Sequence, residues 1–120
     1  MKIKIFFSLL PILLFSFQAL AFDPLRLSIK TDLPENIKHI GTAAQYYVNT
    51  IGYRVKIDYP APQDAYQIAS EELNTLSLTS ELKPIDEAIL SLLGEKYVLI
   101  VDHEHKMISF DMKEKNLEAN

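Results

Sequence analysis

The chain has 120 residues, no cysteine, three histidines and a formal net charge of −4. That length allows one small domain, and the absence of cysteine excludes disulfides, thiol catalysis and cysteine metal sites. Residues 1–21 hold two of the twelve basic residues and none of the sixteen acids, so the rest carries a charge near −6, and without a cluster of Lys or Arg it is not expected to bind nucleic acid.

Residues 1–21 read as a secretory signal peptide. Lys2 and Lys4 give a positive start, Ile5 to Phe17 is apolar apart from Ser8 and Pro11, and Ala19-Leu20-Ala21 offers small residues for cleavage before Phe22. An uncleaved anchor is the alternative, although the apolar run is short for a bilayer span of about 20 residues. Either reading places the remainder outside the cytoplasm. The globular domain is then expected over 22–112, with a polar tail at 113–120 that frays.

Phe22 to Ser28 alternates apolar and polar residues and fits an edge strand or an arm. Asp32, Pro34 and Glu35 have the spacing of an N-cap, a first-turn proline and a capping-box acid. Ile37, Ile40, Ala44, Val48 and Ile51 follow at steps of three and four, which predicts a helix over 33–51 closed by Gly52. Tyr53, Val55, Ile57 and Tyr59 then alternate with Arg54, Lys56 and Asp58, a half-buried strand stopped by Pro60 and Pro62. A short helix with Ala65, Ile68 and Ala69 inward and a short strand over 75–79 come next.

Pro84, Asp86 and Glu87 start a second long helix, Gly94 ends it, and Ile85, Ala88, Ile89, Leu92 and Leu93 form its apolar face. "YVLIV" and "KMISFD" read as two strands of a hairpin. The expected fold class is α+β, a small single sheet with two helices packed on one face, in the order α-β-β-α-β-β.

His103 and His105 lie one residue apart between those last strands, which is one way a metal site begins. A site needs three or four converging ligands, and His39 lies on the first helix with no spacing that ties it to the pair. The pair therefore reads as the polar filling of an exposed turn, and no metal or cofactor is expected. Gly41, Gly52 and Gly94 have no serine two residues away, so no nucleophile elbow is present, and three glycines make no phosphate-cradling loop. The six tyrosines are the surplus. Most are expected in the core, and some suit an interface. The chain reads as a non-enzyme.

Gln45-Tyr46-Tyr47, Gly52-Tyr53-Arg54, Pro60-Ala61-Pro62 with Ala65 and Ile68-Ala69, Ile85-Asp86-Glu87-Ala88 with Leu92-Leu93-Gly94, Val101-Asp102-His103 and Ser109-Phe110 form a set. Over roughly 40–110 this set resembles the N-terminal domain of PilL-type proteins from the type IV pilus clusters of integrative and conjugative elements. The order of elements is also similar, more distantly, to the short N-terminal domain of secretins and TonB-dependent receptors. The resemblance implies a docking module beside an outer-membrane secretin, helping to build a conjugative pilus. Many such pilus proteins are lipoproteins, whereas this chain has no cysteine to carry a lipid. Outer-membrane association is then expected through a partner.

The resulting expectation is a periplasmic adaptor whose partners are pilus or secretin components, docking by an exposed strand edge. The Tyr53–Tyr59 strand is the expected edge, with Tyr53, Arg54, Lys56 and Tyr59 as interface residues. A periplasmic metal carrier using His103 and His105, or a small-ligand or peptidoglycan-binding protein, is the alternative.

Overall fold

The computed structural model describes residues 22–74 and 79–114. The expected signal peptide, residues 75–78 of the expected short strand and residues 115–120 of the tail lie outside the described residues. Eight elements follow in order: β1 (Ser28–Lys30), α1 (Ile40–Val48), β2 (Arg54–Val55), α2 (Ala65–Ala69), β3 (Leu82–Pro84), α3 (Ile85–Leu93), β4 (Tyr97–Asp102) and β5 (Met107–Met112). A 3-10 turn over Pro24–Arg26 precedes β1, and another over Asn49–Ile51 extends α1.

The fold is α+β, as the mixed periodicities require, but its strands make two small sheets and not one. β1 and β3 pair antiparallel, from Ser28 against Pro84 to Lys30 against Leu82. The larger sheet has the order β2-β5-β4, with β2 parallel and β4 antiparallel to the central β5. The division follows from chain geometry. β3 turns into α3 at Pro84, and the Ile85 amide donates to the Leu27 carbonyl (3.0 Å). The small ribbon thus ends where α3 begins and stays apart from the larger sheet.

α3 obeys every local signal. Asp86 and Glu87 occupy its first turn, where the N-terminal dipole favours acids, and Gly94 leaves it at φ +71°. Ile85, Ala88, Ile89 and Leu93 are buried, and Leu92 packs against the same core. α1 is shorter than the 33–51 expected. Residues 31–39 form no helix, because their backbone groups are taken by distant partners. Thr31 donates to Glu81 (2.9 Å), Ile40 to Glu71 (2.9 Å), and Lys38 accepts from Leu73 (2.8 Å). These tertiary bonds win over the Asp32-Pro34-Glu35 start signal. The far end holds, with Gly52 left-handed at φ +76°.

The core lies between the helices and one face of the larger sheet. Tyr47 and Val48 of α1, Ile68 of α2, Ile85 and Ile89 of α3, and Ile108 and Phe110 of β5 are its largest fully buried side chains. Tyr97, Leu99 and Val101 pack on it from β4. α1 crosses α2 closely at Gly41, where an added Cβ would stand 2.7 Å from the Cβ of Ala69.

Candidate docking site

The four residues expected to form an interface part company in the structure. Tyr53 is buried, and its hydroxyl lies 2.8 Å from His103 Nδ1. Arg54 is exposed. Lys56 is half-buried, with its amide bonded to the Ile108 carbonyl (2.8 Å) and its ammonium 3.0 Å from Asp58. That ammonium holds the Asp58 carboxyl below the usual carboxylate range, chiefly by hydrogen bonding. Tyr59 stands 92% exposed on a turn closed by the Ala61 amide and the Asp58 carbonyl (2.9 Å).

The ladder of β2 is two residues long, although Val55 and Ile57 both pack on the core as the alternation requires. Its outer edge is occupied by a side chain. Gln45 of α1 donates from Nε2 to the Tyr53 carbonyl (3.1 Å) and accepts from the Val55 amide at Oε1 (2.8 Å). The primary amide takes the place of one peptide unit of a neighbouring strand. Beside it opens a groove of about 360 Å³ lined by His39, Thr42, Val55, Ile57 and Ser70. Nothing in the sequence marks Gln45 for this role, since its partners lie eight and ten residues away.

The histidines of the hairpin fall in its connection, residues 103–106, where Lys106 adopts φ +54°. Their rings serve different partners. His103 meets the Tyr53 hydroxyl, and its Nε2 lies 3.8 Å from Asp23. His105 Nδ1 lies 2.8 Å from Asp102 Oδ2, and the His105 amide donates to Asp102 Oδ1 (3.2 Å). These bonds hold the Asp102 carboxyl below its ordinary value. Asp102, Glu104 and His105 bring ligand atoms within 4.8 Å of one another on the surface. Asp102 already has a structural task there, closing the turn. His39 stands at the N-cap position of α1 without a side-chain cap bond, forms a backbone bridge with Glu72, and is not part of this group.

At the opposite side of the larger sheet, β4 carries five uncharged residues, Tyr97 to Val101, between Lys96 and Asp102. A cleft of about 540 Å³ runs beside that strand, with Leu25, Leu90, Tyr97, Leu99 and Val101 among its walls. No protein-family model, curated protein or solved structure matches this chain. What the residues themselves define is a small α+β fold with one sheet edge capped by Gln45 and the other, that of β4, without a neighbouring strand among the described residues.

Proposed function

We propose that this chain is a periplasmic, non-enzymatic adaptor in the biogenesis of a conjugative type IV pilus, and that it docks onto the secretin or another pilus component. The observation that carries the reading is Tyr59, an aromatic ring held almost wholly in solvent on a turn that follows β2, the strand that carries exposed Arg54. A large exposed aromatic is the residue type of an interface anchor, and an exposed arginine on the preceding strand is another. The leader-like residues 1–21 and the motif set over 40–110 supply the address and the process.

Because Gln45 occupies the β2 edge, docking here uses side chains and not strand addition. Tyr59 inserts into the partner, and Arg54 selects an acidic rim around it. The test is capture from envelope extracts of a cell carrying the pilus genes, with the tagged chain as bait. Wild-type chain recovers a pilus or secretin component, and the Tyr59→Ala and Arg54→Glu variants lose it about tenfold or more. Recovery of no such component by the wild-type chain overturns the reading.

A further inference from the structure

The hydrogen-bond phase of β4 reveals a second surface. The Lys113 amide donates to the Lys96 carbonyl (3.0 Å), one step beyond the ladder that pairs Tyr97 with Met112. Residues that exchange bonds alternate along an antiparallel pair. The exchanging pairs are therefore Val98–Asp111, Ile100–Ser109 and Asp102–Met107. The bond from the Lys56 amide to the Ile108 carbonyl (2.8 Å) agrees, because it turns Ile108 toward β2. Tyr97, Leu99 and Val101 consequently aim their N–H and C=O groups away from β5, on a side where β4 has no neighbouring strand among the described residues.

Proteins commonly blunt such an edge with a charge, a proline or a bulge. Between Tyr97 and Val101 this one has none of them. We propose that the β4 edge pairs antiparallel with the β4 edge of a second copy of this chain, about a two-fold axis at Leu99.

Register and charge select that occupant. A two-fold at Leu99 sets Leu99 against Leu99 and Tyr97 against Val101 of the second copy, so all three outward residues of each chain fall in hydrogen-bonding pairs. The residues between them form the closer, non-bonded pairs. Val98 then faces Ile100 of the second copy, and Lys96 faces its Asp102. The one flanking cation thus meets the flanking carboxylate at both ends of the joint, with Asp102 keeping its bonds to His105 of its own turn and accepting Lys96 on its remaining lone pairs, and opposite charges directly across a strand pair are favourable. Sliding the register two residues either way opposes Asp102 to Val98 or to Gly94 and loses a bonded pair. On the core-side face, the side chains of Tyr97, Leu99 and Val101 from the second copy lie beside the cleft and cover Leu90, which is 47% exposed.

Dimerisation through β4 needs only the purified chain and no pilus partner. Sedimentation equilibrium is expected to show a concentration-dependent dimer. Lys96→Asp and Asp102→Lys each set two like charges face to face and weaken it about tenfold, and the double variant restores it. Circular dichroism reports whether each variant keeps its fold. A geometric readout uses the absence of native cysteine: Val98→Cys chains mixed with Ile100→Cys chains and oxidised form the mixed disulfide in preference to either homodimer. A monomer at every concentration up to millimolar, a dimer indifferent to both charge reversals, or random disulfide pairing overturns the proposal.

Discussion

Tyr47 shows how one side chain joins separate parts of the chain. It is buried on α1, and its hydroxyl donates to the Thr31 carbonyl (2.7 Å). Thr31 in turn donates from Oγ1 to the Thr79 carbonyl (2.6 Å) and accepts there from the Glu81 amide (3.0 Å). Removing the phenol oxygen leaves a buried carbonyl without its donor, so Tyr47→Phe is expected to cost about 1–2 kcal/mol in denaturant unfolding near neutral pH. The same burial pushes the Tyr47 hydroxyl up to about 12, since it disfavours the phenolate. A pKa raised on folding adds stability that is complete below the ordinary phenol value near 10 and disappears as pH climbs through the folded value. Wild-type stability should therefore fall between about pH 10 and 12. Tyr97 contributes to the same fall, because its bond to the Glu71 carboxylate also raises its hydroxyl to about 12. Tyr47→Phe flattens the alkaline limb in part, and Tyr47→Phe with Tyr97→Phe flattens it further. An unchanged slope in the double variant would show that neither phenol is coupled to folding.

Among the elements, β2 takes both bonds of its outer side from one side chain, Gln45. Two ladder residues hold little by themselves, and three or more strands with an apolar face are usually needed for independent stability. Gln45 supplies the bonds of a missing fourth strand. Gln45→Ala removes a donor and an acceptor from the β2 backbone and should destabilise the fold by about 1–2 kcal/mol. Gln45→Glu keeps the acceptor for the Val55 amide but sets a carboxylate oxygen toward the Tyr53 carbonyl, so it should be no better than Ala. If both variants unfold at the wild-type midpoint, the amide is decoration. The contrast with α3 explains what the sequence made legible. In α3 the start, the stop and the apolar face are all local, and the burial of Ile85, Ala88, Ile89 and Leu93 follows from their spacing. The hairpin is equally local, with a polar connection between two apolar runs. At α1, Asp32, Pro34 and Glu35 also spell a helix start, yet Thr31, Lys38 and Ile40 spend their backbone groups on residues more than thirty positions away. Tyr53 was legible as an aromatic on a strand, but not as the buried partner of His103. The β2 edge was readable as a half-buried strand, while the Gln45 cap across it lies in three-dimensional proximity that no periodicity encodes.

For the whole molecule, the strand order β2-β5-β4 sets the Tyr59 side and the β4 edge at opposite margins of the larger sheet. Two copies joined through β4 would present two outward Tyr59 sides, so under the proposed docking role a modest affinity at each could combine into tighter attachment. The arrangement makes a direct prediction for amide hydrogen exchange. β5 is bonded on both sides, and the amides of Val98, Ile100 and Ser109 lie inside the β4–β5 ladder, so they should exchange slowly. Tyr97, Leu99 and Val101 alternate with them on β4 yet have no acceptor within the described chain, and in dilute protein they should exchange far faster than their immediate neighbours. Raising the protein concentration should slow these three and leave Ile100 unchanged, because only the outer edge gains acceptors when two copies meet. Slow exchange at Leu99 in dilute monomer would mean that the edge is already covered from within the chain, and fast exchange at all concentrations would leave it open but unpaired.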